Sequence, residues 1–153
     1  MADFAQAIEY VLANEGGIVN DANDPGGLTN FGLSQRSYPA LDLRSITRDD
    51  AIAIYRRDYW KFEEVQSQRV ATKILDAYVN MEHGGIRCLQ LALNINADGA
   101  WGPDTLAHVN AANEDSLMNE FKARLAKFYC DEVIANPHMS NDLLGWLRRA
   151  VKG

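Results

Sequence analysis

Apolar residues recur at helical spacing from the start of the chain, with Phe4, Ile8, Val11 and Leu12 on one face behind Asp3. Gly16-Gly17 supplies a stop, so the pattern predicts a first helix ending at about Glu15. Between residues 18 and 34 the helical period is lost. Asn20-Asp21, Asp24-Pro25-Gly26-Gly27 and Asn30 are turn residues around short apolar positions, which predicts a small hairpin or irregular β lobe. A connector runs to Ser45. Thr47 and Asp50 then form a capping pair that opens a helix over residues 48–60, with Ala51, Ile52, Ile54, Tyr55 and Tyr59 available for packing.

The helical period returns in Val70, Ile74, Tyr78 and Met81; Gly84-Gly85 is expected to end that helix, and a new one to run over residues 86–93. Asp98-Gly99 and Gly102-Pro103 frame Trp101 as a turn, and Pro103 suits the first position of a helix toward Asn110. Leu117, Phe121, Leu125 and Phe128 define a further helix. Asn136-Pro137 interrupts it ahead of a terminal segment carrying Leu143, Leu144, Trp146 and Leu147. The sum is a mainly α (α+β) chain with a small N-terminal β-hairpin lobe and no internal repeat.

Composition narrows what such a chain does. The 153 residues, 47% apolar, are enough for one packed domain or two small lobes sharing a core. No stretch approaches the roughly 20 apolar residues that span a bilayer, and Met1-Ala2-Asp3-Phe4 lacks the basic start and apolar run of a signal peptide, so synthesis in the cytoplasm is expected. A net charge of -6 opposes the phosphate neutralisation on which nucleic-acid binding depends, which argues against nucleic acid as partner. Cys88 and Cys130 show no metal-binding or redox spacing and are expected as buried free thiols. His83, His108 and His138 form no ligand pair, so neither a metal nor another cofactor is expected.

The carboxylates carry the candidate chemistry. Hydrolysis of a glycosidic bond needs a carboxyl group still protonated near neutral pH to protonate the leaving oxygen. Glu15, in the last turn of the first helix, faces the negative end of the helix dipole, and any apolar burial adds to the same effect. Gly16 and Gly17 leave space for a sugar to approach it. Asp24 follows in a tight turn and Thr29 opens a strand-like run, so a carboxylate and a hydroxyl could hold a water across one cleft from Glu15. Taken alone, each also has a structural explanation: a helix-end glutamate, a turn aspartate, a strand threonine.

The ordered run Asn14-Glu15-Gly16-Gly17, Val19-Asn20-Asp21, Asp24-Pro25-Gly26-Gly27, Thr29-Asn30 and Gly32-Leu33-Ser34 resembles glycoside hydrolase family 108, the N-acetylmuramidases of phages and bacteria. The likeness continues through Ala53-Ile54-Tyr55, Asp58-Tyr59-Trp60, Leu75-Asp76-Ala77 and Val79-Asn80. Leu89-Gln90-Leu91-Ala92-Leu93-Asn94, the residues from Asp98 to Thr105, and Gly145-Trp146-Leu147-Arg148-Arg149-Ala150 are similar to the predicted peptidoglycan-binding region that accompanies that catalytic segment. The resemblance implies a lysozyme-like fold with a catalytic lobe at 1–85 and a helical region at 86–153 packed on it as one unit. It also implies cleavage of the β-1,4 bond between N-acetylmuramic acid and N-acetylglucosamine in peptidoglycan glycan strands; the order Glu15, Asp24, Thr29 is similar to that of the phage-type lysozymes, and that second likeness implies inversion.

Glu15 is then the general acid, with Asp24 and Thr29 as its catalytic partners; Asn30, Tyr59 and Asn80 are candidates for substrate binding. Asp76 is a further candidate for the cleft, while Trp101 reads as a packing anchor and Arg148, Arg149 and Lys152 as a solvated helix face. A monomer is expected, acting on the cell wall after release through a holin-type pore or in wall remodelling. Two alternatives stay open: a lytic transglycosylase, which needs the acid but no positioned water, and a non-catalytic wall-binding protein.

Overall fold

The computed structural model describes residues 1–15, 19–20 and 28–153. Seven helices and one short sheet are present among them: α1 (Phe4–Asn14), β1 (Val19–Asn20), β2 (Leu28–Asn30), β3 (Leu33–Ser34), α2 (Arg48–Asp58), α3 (Gln68–Met81), α4 (His83–Ala92), α5 (Pro103–Ala111), α6 (Glu114–Ala135) and α7 (Leu143–Val151). The architecture is mainly α with a small N-terminal hairpin lobe, as the periodicity predicts.

Local signals explain where most elements begin. Asp3 caps α1 by accepting from the amides of Ala5 and Gln6, and its own amide donates to Gln68 Oε1 at 2.6 Å, which ties the start of α1 to the start of α3. The capping box at α2 is complete: Thr47 accepts from the Asp50 amide and Asp50 accepts from the Thr47 amide. Helix α2 stops at Asp58, two residues short of the predicted end, with Tyr59 as its C-cap. Pro103 opens α5, and Asn136 closes α6 ahead of a single 3-10 turn at Pro137–Met139.

The break between α3 and α4 differs from expectation. Glu82, at φ 46°, ends α3, and Gly84 and Gly85 lie inside α4. Gly85 is there for contact: a Cβ on it would stand 2.7 Å from the Ala77 carbonyl oxygen, so its lack of a side chain lets α4 cross close to α3.

Strands β1, β2 and β3 form one antiparallel sheet in that order, with Thr29 opposite both Val19 and Ser34. Asn30 pairs with Leu33, leaving Phe31 and Gly32 as a two-residue turn with φ of 50° and 78°, the backbone sign that tight hairpins require.

Helix α1 packs on α3, α3 on α4, α4 on α6, and α6 on α7. One continuous core results, in which Ile8 and Val11 belong to the same buried cluster as Ile74, Leu89, Met118 and Phe121. Phe62 is fully buried and meets Trp60, Tyr78 and Trp101 edge-on, so Trp101 is the packing anchor its turn suggests. Both cysteines are free. Cys88 is buried, which pushes its thiol up to about 11, and Cys130 is half-buried.

Candidate active site

Glu15 is the C-cap of α1, in extended backbone conformation, and its amide donates back to the Val11 and Leu12 carbonyls. Four elements converge on it. The hairpin turn passes so close that a Cβ on Gly32 would lie 2.8 Å from Glu15 Cδ and Oε2. From α2, Tyr55 lies beneath the same turn and donates its hydroxyl to the Phe31 carbonyl at 3.0 Å. Burial of Tyr55, and then the nearby Glu15 charge, push its phenol well above the ordinary tyrosine value.

The fourth element is α7. Arg149 donates through Nη2 to Glu15 Oε1 at 2.7 Å and through Nε to Asp76 Oδ1 at 2.9 Å. Asp76 and Lys73, both on α3, are almost completely buried and stand 3.5 Å apart. Lys73 Nζ also donates to the carbonyls of Arg149 and Lys152, satisfying two of the free carbonyls at the end of α7. Burial works against the Arg149 charge, but the Asp76 and Glu15 carboxylates outweigh it, and the guanidinium is held above its usual value. Lys73 is shifted down: burial lowers it by more than Asp76 raises it. The four groups alternate in sign, from Glu15 to Arg149 to Asp76 to Lys73.

This arrangement corrects two expectations. The Glu15 carboxylate sits against a guanidinium rather than in an apolar pocket, and Arg149 is no part of a solvated face, its side chain being only 17% exposed. Arg148 and Lys152 are exposed, as the sequence suggests. Asp76 belongs to the network under Glu15 rather than to an open cleft wall. Sequence reasoning missed Arg149 because its partner is 134 positions away; the available signal was its place three residues after Trp146, at the margin of the apolar face of α7.

The other predicted residues are distributed as follows. Asp24 lies outside the described residues. Thr29 is half-buried in the middle of β2. Asn30 is buried, and its Nδ2 donates to the Leu43 carbonyl at 2.8 Å, pinning the connector beneath the hairpin. Tyr59 is half-buried between Tyr55 and Tyr78, with ring centroids 5.3 and 6.1 Å away. Asn80 is exposed on α3 and donates to the Asp76 carbonyl at 2.6 Å.

Two cavities matter for what surrounds the carboxylate. One of about 350 Å³ is bounded by Asn14, Gly145, Trp146, Arg148, Arg149 and Lys152; Glu15 does not line it but is joined to it through Arg149. A larger one of about 730 Å³ opens between the segment around Tyr38 and Ile46 and helix α2, and Glu15 does not line it. Among the described residues no cluster of histidine, cysteine or carboxylate side chains could hold a metal ion, and no helix is long and apolar enough to cross a membrane.

No curated protein matches this chain. A solved structure of Brucella abortus SagA is similar over 97% of this chain and 93% of its own, at 26% identity and a TM-score of 0.73. Residues 84–151 match the family model described as a predicted peptidoglycan domain. That region contains Arg149, and the region before it contains Glu15, so the ion pair joins the two. With residues 8–82 matching the glycosyl hydrolase 108 model, the chain carries a domain of that family of glycoside hydrolases and the predicted peptidoglycan domain directly after it.

Proposed function

We propose that this glycoside hydrolase is an N-acetylmuramidase, cutting the β-1,4 bond between N-acetylmuramic acid and N-acetylglucosamine in peptidoglycan, with Glu15 as general acid. The observation that carries the assignment is the setting of the Glu15 carboxylate. Arg149 occupies Oε1 and fixes the plane of the group, while Oε2 stands against the hairpin turn, so close to Gly32 that a side chain there would collide with it. In the proposed reaction Oε2, the oxygen that Arg149 does not engage, delivers the proton to the leaving sugar. Asp24 and Thr29 hold the attacking water on the opposite side, giving inversion. Tyr59 and Asn80 contribute contacts to sugar rings, and Asn30 does so indirectly, through the connector it anchors.

Glu15→Gln tests the assignment. The amide keeps an oxygen for Arg149 and nearly the same shape, so the melting temperature changes little, while turnover on purified peptidoglycan falls by about 10²- to 10⁴-fold. Near wild-type turnover in this variant rules Glu15 out as the acid. The products separate the mechanisms: an α anomer with a reducing muramic acid end supports inversion, whereas anhydro ends identify a lytic transglycosylase.

A further inference from the structure

We propose that the pocket beside Glu15, walled by Asn14, Trp146, Arg148, Arg149 and Lys152, binds the free carboxylates of the peptide that peptidoglycan carries on its muramic acid; the identity of this ligand rests on the reading above. The pocket gathers positive charge in a protein whose net charge is -6. Arg149 is committed to Glu15 and Asp76, but Arg148 and Lys152 have no carboxylate within ion-pair distance among the described residues. Lys152 Nζ instead meets the neutral Asn14 Oδ1 and lies over the Tyr10 ring. Asn14 itself bears no charge, so it leaves the Lys152 ammonium without a counter-ion among the described residues.

The shape fits the same chemistry. At about 350 Å³ the pocket holds a small peptide fragment, and Trp146, braced by stacking on Tyr129 at 5.3 Å, offers a flat apolar wall. Gly145 leaves its side open, since a Cβ there would touch nothing within 4 Å. N-acetylated sugars are neutral, so two cations without a carboxylate partner among the described residues have nothing to gain from the glycan backbone itself. The carboxylates of the attached peptide supply the matching charge, and the pocket shares Arg149 with the Glu15 carboxylate, so sugar and peptide of one strand are engaged side by side.

The test is calorimetric titration of the wild-type chain with L-alanyl-γ-D-glutamyl-L-lysine, its carboxylates either free or amidated. The free peptide is expected to bind about tenfold more tightly, and the Arg148→Gln/Lys152→Gln double variant to lose that preference. Both positions are exposed, so an unchanged circular dichroism melt accompanies the variant. Equal binding of the two peptides by the wild type, or a preference that survives in the double variant, overturns the proposal. Glycan cleavage is scored separately. Carboxylate-selective binding without any cleavage leaves the pocket standing and refutes the muramidase reading; cleavage without selectivity refutes the pocket alone.

Discussion

Gly32 controls how closely the hairpin approaches the Glu15 carboxylate. Its φ of 78° is strained for any residue with a side chain, and an added Cβ would fall 2.6 Å from Tyr55 Oη and 2.8 Å from the carboxyl carbon. Gly32→Ala is expected to destabilise the protein by roughly 1–3 kcal/mol and to displace the carboxylate, lowering turnover even where the chain stays folded. Thermal unfolding and peptidoglycan turnover measured together check this. Gly102→Ala is the control for turnover: its site is open, so it costs only part of the α5 N-cap and leaves turnover of the folded protein unchanged. The Glu15 side of this site is legible in the sequence, since a glutamate at a helix end followed by two glycines is a local pattern. Arg149 is not. Helical periodicity tells which face of α7 is apolar, but nothing local says that a neighbouring arginine will be enclosed by carboxylates from α1 and α3.

Helix positions follow closely from caps and apolar spacing, as the Thr47–Asp50 box and Pro103 show, because both are contacts within one turn of chain. The misread element is the α3–α4 junction, where two glycines suggest a stop and the chain uses one of them as a crossing point. Sequence spacing cannot distinguish these uses, because the difference lies in what the glycine touches. The two positions should respond oppositely to alanine. Gly85→Ala forces a methyl against the Ala77 carbonyl and is expected to cost about 1–3 kcal/mol. Gly84→Ala meets only ordinary contacts with Phe128 and Met81, so helix propensity makes it neutral or stabilising by up to about 1 kcal/mol. Urea unfolding of both variants decides; equal destabilisation would mean that Gly85 is no contact residue.

Across the whole molecule, tyrosines tie the surface to the core. Burial holds the phenols of Tyr38, Tyr55, Tyr59 and Tyr129 above their ordinary value, with Tyr129 pushed up to about 12; at Tyr38 the hydrogen bond to Asp58 adds to this. The folded state therefore retains protons that the unfolded chain gives up near pH 10, and stability should fall as pH rises above that point. Chemical unfolding between pH 8 and 11.5 should show the midpoint declining above about pH 10, with phenolate absorbance appearing late and together with unfolding. A midpoint that stays level, or free ionisation of these four phenols in the folded protein, would contradict it.

Glu15 and Arg149 are separated by 134 positions, so their contact is among the most non-local that the chain makes. Non-local contacts carry the largest loop-closure cost and form with the complete fold rather than ahead of it. A chain whose α7 has peeled away has lost the cation that orients this carboxylate. If Glu15 is the acid proposed above, its competence reports on the integrity of the entire polypeptide: fraying at α7 would silence it reversibly, until the two segments had found each other again.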